Sequence, residues 1–358
     1  MDPIAFGIVG SGWRAEFFMR IAQACPERFN VAGVVVRDAA KAAAFERRWN
    51  RSTFRTLDAL LERTAPRFVV SSVTWQANPD VLEALAVRKV PALSETPPAP
   101  DIEQMTKLFL TLQRLKAKVQ VAEQVHLRPH HAAQLAVAAG GKLGRVTQAQ
   151  LSVAHGYHGI SLMRKFLGIG FEPATIHASE FNSPLVAGAG RNGPPEQEVI
   201  KTSNQHFYRF DFGDRLGLLD FTGDQYFAWI RAERLLVRGE RGELSGQHLA
   251  YLKDFRTPVN LQFVRRTSGI DGDLSGNGLL GIQCGDEWLY RNPFAPASLM
   301  DDEVAIASCL LKMDEYIRTG EDFYALADGM QDHYLYILAQ RALSSGSAVR
   351  SEAQVWAR

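Results

Sequence analysis

A glycine-containing turn directly after a short apolar run is the feature that most constrains this chain. Residues 4–9 are apolar and are followed by the sequence Gly10-Ser11-Gly12-Trp13-Arg14-Ala15. In a G-x-G-x-x-A turn between strand and helix, the first glycine makes the tight bend and the second lets the backbone approach a pyrophosphate. Ala15 permits close packing of helix on strand, and the N-terminus of the helix attracts the anion. The turn therefore predicts a dinucleotide-binding site, with a purely structural turn as the alternative.

Short apolar runs alternate with helical patterns over the first 125 residues. We predict strands at 4–9, 31–36, 68–73, 90–93 and 119–122, and helices at 13–24, 38–49, 79–88 and 101–116. Asp38 is suited to cap the second of these helices. Strands that alternate with helices of this length indicate βαβ units and a parallel sheet. We therefore predict a doubly wound Rossmann domain over residues 1–125.

The pattern changes after residue 125. A helix is predicted at 129–139, and Gly213-Asp214 between two apolar runs predicts a hairpin. A long strand is predicted at 227–238, and two closing helices near 301–318 and 324–343. The Gly/Pro-rich stretch 182–195 predicts a long mobile loop of the kind that often serves function. We therefore predict a second α/β domain over residues 126–358, with a large and mostly antiparallel sheet on which substrate binds. Whether the terminal helices pack on this domain or on the Rossmann domain is left open.

Composition narrows the class of protein. Lys+Arg 40 against Asp+Glu 39 gives a net charge of +1, which offers no electrostatic footprint for nucleic acid or an anionic membrane. Cys25, Cys284 and Cys309 are odd in number and far apart, so they predict neither a disulfide framework nor a four-cysteine zinc site. No signal-peptide pattern and no run of ~18 apolar residues is present. We expect a cytoplasmic protein whose partners are a small-molecule substrate and further copies of itself.

The end of the second predicted strand bears on the choice of cofactor. A carboxylate there would bind the ribose 2′-hydroxyl of NAD, whereas an arginine suits the 2′-phosphate of NADP. The strand ends in valine and is followed by Arg37, while Asp38 lies too far along and is better explained as a helix cap. The sequence therefore favours NADP as the cofactor, with NAD as the alternative. The structural alternative for Arg37 is an arginine on a loop that contacts only solvent.

Five motifs along the chain carry a resemblance to a known family: Gly10–Ala15, Ser94-Glu95-Thr96-Pro97, Ala122-Glu123-Gln124, Leu143-Gly144-Arg145-Val146 and His155-Gly156-Tyr157-His158. In order and spacing they resemble the glucose–fructose oxidoreductase, inositol dehydrogenase and rhizopine catabolism (Gfo/Idh/MocA) family. The resemblance implies an N-terminal Rossmann domain and a C-terminal α/β domain whose open, largely antiparallel sheet often forms oligomer contacts. It also implies that Glu95, Thr96 and Gln124 lie near the cofactor, and that Thr74 and Trp75 border it after the third strand.

The chain departs from the family at the catalytic positions. The family has Glu-Lys-Pro, and its lysine positions substrate and nicotinamide and assists proton transfer; here Thr96 stands in its place. The family also places Asp residues four positions before and three positions after a histidine, where this chain, aligned on His158, has Ala154 and Ser161. His158 is then the candidate acid/base, because an unperturbed imidazole pKa of ~6.5 suits proton exchange near neutrality. His155 and Tyr157 are further candidates, and each of the three has a structural role as its alternative.

Three hypotheses follow. The first is an NAD(P)-dependent oxidoreductase that moves a hydride between nicotinamide and a small carbonyl, polyol, sugar or imine substrate. The second is a dinucleotide-binding sensor that has lost catalysis, and the third a redox-neutral enzyme with tightly held NAD. His126, His130 and His131 do not predict a metal site, because adjacent histidines on a helix point in different directions and no cysteine or paired carboxylate joins them.

Overall fold

The structure, a computed structural model, describes residues 2–191, 193–269, 272 and 274–357. It contains a six-stranded sheet built by the first third of the chain and an eleven-stranded sheet built by the rest, with helices packed against both. The predicted α/β fold class, a Rossmann sheet followed by a large and mostly antiparallel sheet, is confirmed. No helix formed by the described residues has the length and apolar character needed to cross a membrane.

The first sheet is parallel throughout, in the order β3-β2-β1-β4-β5-β6. Its strands are β1 (Ile4–Val9), β2 (Phe29–Val35), β3 (Thr53–Phe54), β4 (Phe68–Ser71), β5 (Ala92–Ser94) and β6 (Val119–Val121). Its helices are α1 (Trp13–Ala24), α2 (Ala39–Trp49), α3 (Leu57–Arg63), α4 (Asn78–Val87) and α5 (Ile102–Arg114). The order reverses between β1 and β4, and in such sheets the crevice beyond the carboxyl ends of these two strands takes the ligand.

The local signals of this region predicted it well. β1 and α1 have the predicted bounds, and the carboxylate of Asp38 accepts a hydrogen bond from the Lys41 backbone N–H at 2.8 Å, which caps α2 as expected. The sequence analysis missed β3 and α3, which are too short to show a periodic pattern.

The second sheet has the order β16-β15-β14-β13-β12-β11-β7-β10-β9-β8-β17 and is antiparallel except between β7 and β10. Its strands are β7 (Val146–Ser152), β8 (Thr175–Val186), β9 (Ile200–Asp211), β10 (Leu216–Leu219), β11 (Arg234–Gly239), β12 (Gly242–Ser245), β13 (His248–Asp254), β14 (Thr257–Ser268), β15 (Gly278–Cys284), β16 (Glu287–Arg291) and β17 (Val349–Arg350). The helices are α6 (Pro129–Ala139), α7 (Gly156–Leu167), α8 (Asp301–Thr319) and α9 (Leu326–Ser345). The predicted hairpin at Gly213 is present between β9 and β10.

Two predictions for this region were wrong in extent. The strand predicted at 227–238 begins at Arg234, because the preceding residues form turns: the Ala228 N–H donates to the Asp224 carbonyl and the Arg231 N–H donates to the Ala228 carbonyl. The loop predicted at 182–195 begins after Val186, since residues 182–186 pair with β9 as part of β8. The connection from β8 to β9 therefore covers residues 187–199, of which Asn192 lies outside the described residues.

The closing helices return to the first sheet. Glu303 of α8 accepts a hydrogen bond from Arg20 of α1 at 2.7 Å, and the apolar face of α8 completes the core around β1 and α1. Just before α9, the Tyr324 carbonyl accepts a hydrogen bond from the Val121 N–H at the edge of β6. The two halves of the chain are thus packed together, and the domain boundary near residue 125 stays a prediction.

Substitution of Gly10, the first glycine of the turn, tests how closely the turn approaches the chain after β4. Gly10 has φ +115°, and a Cβ placed on it would lie 2.1 Å from the Ser72 carbonyl oxygen after β4. We expect Gly10→Ala to lower the free energy of unfolding by at least about 2 kcal/mol, because left-handed strain and a backbone clash add. Chemical denaturation monitored by circular dichroism measures this.

The matched control is Gly12→Ala. Gly12 has an ordinary negative φ, and a Cβ placed on it would have none of the described atoms within 4 Å. Its substitution should cost about 0.5 kcal/mol, because alanine is a weaker helix N-cap than glycine. Equal losses in the two variants would contradict the close approach at Gly10.

Candidate functional site

A cleft of about 890 Å³ opens at the carboxyl ends of β1 and β4. Its volume lies within the range of small-molecule and cofactor sites. It is lined by both halves of the chain: Gly10, Ser11, Gly12, Trp13, Arg14, Arg37, Lys41, Ser72, Val73, Thr74, Trp75, Gln76, Ala77, Glu95, Thr96, His155, Tyr157, His158 and Arg191. Of the site residues predicted from sequence, all but Ala15 and Gln124 line this one cleft.

The glycine turn forms one wall. Gly12 is the N-cap residue of α1 and is exposed to the cleft, with space around its Cβ position among the described residues. Within the described part of the chain, no side chain caps this helix, so its first backbone N–H groups are available to a ligand. Ala15 is fully buried against the sheet. This geometry fits a pyrophosphate at the helix N-terminus, which favours negative charge.

Arg14 connects the turn to the strand ends beside it. Its Nε lies 3.4 Å from Glu95 Oε2. Arg14 and the Ala122 carbonyl determine the orientation of the Gln124 amide. In that orientation the Gln124 oxygen accepts from Arg14 Nη2 at 2.9 Å, and the Gln124 nitrogen donates to the Ala122 carbonyl at 2.8 Å. Burial raises the pKa of the Glu95 carboxyl, while the charges of Arg14 and His158 act in the opposite direction. Gln124 therefore acts behind the cleft wall, through Arg14.

The end of β2 presents cations to the cleft. Arg37 and Lys41 are both exposed and both line it. The carboxylate of Asp38 is held by the α2 backbone, as expected of a cap, and Val36 at the end of the strand is buried. Arg55 donates to the Val36 carbonyl at 3.0 Å and adds a third cation near this end. No carboxylate among the described residues lines the cleft beside Arg37, so this end suits an anion.

His158 has a carboxylate partner that the sequence analysis missed. His158 Nδ1 lies 2.6 Å from Glu123 Oε2, and the two side chains are 7% and 1% exposed. The other oxygen, Glu123 Oε1, accepts from the Val125 N–H at 3.0 Å. A carboxylate at Nδ1 fixes that proton on Nδ1, which leaves Nε2 as an acceptor. Nε2 forms no hydrogen bond within the described residues, and His158 lines the cleft.

The other two candidates are less suited to proton transfer near neutral pH. His155 is the N-cap residue of α7, and its Nδ1 lies 2.5 Å from the Tyr226 hydroxyl. Desolvation and the neighbouring His158 lower the pKa of His155 to about 4. Burial raises the pKa of the Tyr157 hydroxyl, which donates to the Thr96 carbonyl at 3.4 Å. The pKa values of His155 and Tyr157 are thus moved away from neutral pH, where a proton-transfer group works best. His158 lines the cleft and its Nε2 forms no hydrogen bond within the described residues, so the geometry favours His158.

Aromatic rings enclose this end of the cleft. Tyr157 packs on His158 with ring centroids 4.5 Å apart. Trp75, in the predicted segment after β4, makes an edge contact with His333 of α9 at 6.1 Å, and Tyr336 lies one turn further along that helix. Thr74 and Thr96 line the cleft with them. These rings give the site an apolar wall around a few polar groups, an arrangement typical of small-molecule pockets.

The remaining histidines of interest have structural contacts. His131 Nδ1 is bonded to the Val125 carbonyl at 2.8 Å, and the His126 ring packs on Tyr324 with centroids 5.2 Å apart. The His130 ring contacts Phe263. Among the described residues, no three His, Cys, Asp or Glu side chains are grouped so that they could hold a metal ion.

The predicted set lacked six residues that line the cleft and two that contact its histidines. The cleft-lining ones are Lys41, Ser72, Val73, Gln76, Ala77 and Arg191, and the other two are Glu123 and Tyr226. Glu123 stands inside a motif that the family resemblance already used, next to Gln124, and an acidic residue in that run was a usable signal. Lys41 lies four residues after Arg37, in the first turn of α2, and is a cation close to it in sequence. Arg191 and Tyr226 come from segments distant in sequence, and no local pattern marks them.

Comparisons with known proteins agree with the predicted resemblance. Residues 4–123 match the model of the GFO_IDH_MocA family, described as "Oxidoreductase family, NAD-binding Rossmann fold". No curated protein matches the chain. The resemblance predicted from the motifs is thereby confirmed over the region that holds the glycine turn and Glu123.

Solved structures share the fold at low identity. An oxidoreductase from Agrobacterium radiobacter, in complex with NAD+, L-tartaric acid and magnesium, is similar with a TM-score of 0.66 at 16% identity, over 97% of this chain and 98% of that one. The WlbA dehydrogenase from Bordetella pertussis, in complex with NADH and UDP-GlcNAcA, gives 0.64 at 14% over 98% and 100%. A myo-inositol dehydrogenase from Corynebacterium glutamicum gives 0.65 at 15% over 98% and 100%. At such identities the likeness establishes the fold alone.

Proposed function

We propose that this chain, whose residues 4–123 match the Gfo/Idh/MocA oxidoreductase family model, is an NAD(P)-dependent oxidoreductase acting on a small carbonyl, polyol, sugar or imine compound. One observation carries the proposal: a single cleft is lined by the glycine turn and by a histidine whose Nδ1 is held by a carboxylate and whose Nε2 is unengaged in the described structure. The glycine turn suits a dinucleotide, and the histidine suits proton transfer beside that dinucleotide.

The residues present fit a dinucleotide. Gly12 leaves space at the N-terminus of α1, and Arg37 and Lys41 stand at the end of β2, where the adenosine ribose binds in this fold. We propose NADP as the cofactor, with NAD as the alternative, because cations rather than a carboxylate meet the ribose position. When bound, the nicotinamide accepts or supplies the hydride.

The protein's own part in the reaction is to move one proton and to exclude water. In the direction of oxidation, His158 Nε2 takes the proton of the substrate hydroxyl or amine as the hydride leaves the adjoining carbon; in reduction it returns that proton. Glu123 stabilises the imidazolium so formed and keeps the ring in one tautomer, a positioning role. Tyr157 packs on the His158 ring, and His333 packs on Tyr157 from α9, which helps to shield this group from solvent.

The experiment that tests the proposal is a turnover assay with purified protein. NADPH and NADH are each offered with a panel of carbonyl and imine compounds, and the oxidised cofactors with polyols and sugars, while absorbance at the nicotinamide band is followed. Oxidation or reduction of the cofactor supports the enzyme. Saturable binding without turnover across the panel would support the sensor hypothesis, which the threonine at position 96 motivates. Retained NAD with no net change would support the redox-neutral enzyme.

The homo-oligomer, the cytoplasmic location and the boundary at residue 125 stay predictions.

The second turn glycine gives a binding test that needs no substrate. Gly12→Val places a branched side chain in the space where a pyrophosphate must approach the backbone, so we expect near-complete loss of dinucleotide affinity by calorimetric titration. Because the described structure leaves this space open, thermal unfolding should stay close to that of the parent. Unchanged affinity in a folded variant would refute the assignment of the turn.

Cofactor choice is tested at the end of β2. We expect Arg37→Asp to weaken NADP by about 2–4 kcal/mol, through loss of a charge-assisted contact and added repulsion, and to weaken NAD less. Arg47→Asp is the matched control, since it makes the same charge change on the exposed side of α2 outside the cleft. A ratio of NADP to NAD affinity that is the same in the Arg37 variant and the parent would show that Arg37 does not bind the 2′-phosphate.

The proton-transfer group is tested by kinetics. His158→Asn should reduce kcat by about 10²–10⁴-fold with little change in cofactor affinity, because acid–base groups typically contribute that much. Glu123→Gln should retain part of kcat, because a glutamine oxygen can still accept from His158 Nδ1 but no longer stabilises the imidazolium by its charge. His155→Asn and Tyr157→Phe are the comparisons. A larger loss in either of these than in His158→Asn would move the role to that residue.

A further inference from the structure

Arg191 reaches the cleft from the connection between β8 and β9. Its guanidinium carbon lies 4.3 Å from the ring centroid of Trp13, the first residue of α1. It lines the cleft together with His155 and His158. A residue of the second sheet's connection thus lies directly beside the glycine turn, across the opening of the site.

The charge of Arg191 has no counterion in the described structure. No carboxylate pairs with it and no acceptor takes a hydrogen bond from it within residues 2–191, 193–269, 272 and 274–357, whereas Arg14 is paired with Glu95. Its contact with Trp13 is a cation–π interaction, which occupies none of the guanidinium N–H donors. An arginine held over a ring with its donors available is prepared to bind an anion.

The position of Arg191 separates it from the other cations. Arg37 and Lys41 stand at the end of β2, which the proposed function gives to the adenosine ribose, and Arg14 is engaged by Glu95 and Gln124. Arg191 lines the cleft together with His155 and His158. Desolvation and His158 chiefly lower the pKa of the His155 imidazole, and the charges of Arg14 and Arg191 both contribute to that lowering. The His155 ring is 5.0 Å from that of His158. Arg191 therefore lines the opening of the cleft beside the glycine turn, with its donors available to a ligand that also reaches the two histidines.

We infer that Arg191 binds a carboxylate or phosphate group of the substrate, so that the substrates are carbonyl compounds and alcohols that carry an anion near the reacting carbon. A guanidinium pairs with either group through two parallel N–H···O bonds, which fixes orientation as well as affinity. This inference rests on the proposed function and specifies its substrate class. The pyrophosphate of the cofactor offers the same chemistry to Arg191, so the experiment separates the two sources.

The experiment uses pairs of compounds that differ in one anionic group: a 2-oxo acid and its amide, a uronic acid and the corresponding hexose, a sugar phosphate and the free sugar. For the parent, Arg191→Ala and Arg191→Lys, kcat/KM is measured for each member, and binding of each member to the NADP-loaded protein is measured by calorimetry. Cofactor affinity is measured separately without substrate. Arg256→Ala is the matched control, because Arg256 also lies over an aromatic ring, Phe255 at 4.6 Å, but outside the cleft.

We expect the parent to favour the anionic member of at least one pair by about 10–100-fold, the range of a charge-assisted hydrogen-bonded contact. Arg191→Ala should reduce this preference to below about 3-fold while cofactor affinity changes little; Arg191→Lys should keep part of it, and Arg256→Ala all of it. Loss of cofactor affinity with an unchanged preference would assign Arg191 to the pyrophosphate and overturn the inference. Equal kcat/KM and equal affinity for both members of every pair in the parent would also overturn the inference. Failure of every anionic compound to bind at millimolar concentration would overturn it as well. Preferential binding of anions without any turnover would uphold the inference and count against the proposed function.

Discussion

The hydrogen bond between Glu123 and His158 joins the two halves of this molecule at the cleft. Glu123 follows the last strand of the parallel sheet, and His158 lies in the first turn of α7. A carboxylate that is 1% exposed is costly unless its oxygens are bonded, and here one oxygen faces the imidazole and the other the Val125 N–H. The pair therefore fixes where α7 begins relative to the ends of the parallel strands, and with it the width of the cleft.

Two helices begin at this cleft, and both leave their first N–H groups without a side-chain cap in the described structure. Gly12 and His155 are the N-cap residues of α1 and α7. Each helix N-terminus contributes partial positive charge to the space between them, and Arg14 and Arg191 add to it. Glu95 is the one carboxylate among the cleft-lining residues, and it is engaged by Arg14. The electrostatic character of the site is thus set by backbone geometry as well as by side chains, and it suits anionic ligands.

Features that depend on neighbouring residues could be predicted from the sequence, whereas features that depend on contacts between distant residues could not. The Gly10–Ala15 turn, β1 and α1 depend on neighbouring residues, and their bounds agree with the structure. The end of β8 was misjudged as loop, because residues 182–186 are held by pairing with β9 rather than by strong strand propensity. In the site, the contact of Glu123 with His158 joins positions 35 residues apart (158 − 123), and only the folded chain brings them together. The sequence could therefore name His158 as the acid/base candidate without naming its partner.

If position 96 aligns with the lysine of the family's Glu-Lys-Pro motif, as the resemblance implies, the proposed reaction must be organised differently here. A lysine at position 96 would supply both a proton and a positive charge beside the substrate. The Thr96 side chain carries no charge, and the Thr96 backbone carbonyl, which accepts from Tyr157, does not depend on the side chain. A carboxylate next to the histidine is provided from another element by Glu123. Ser161, at one of the family's carboxylate positions, is completely buried, so a carboxylate there would need a partner of its own. Under the proposed function, His158 transfers the proton while Glu123 holds its ring, and under the further inference Arg191 presents positive charge to the substrate, so the two tasks of one lysine are divided between groups on separate elements.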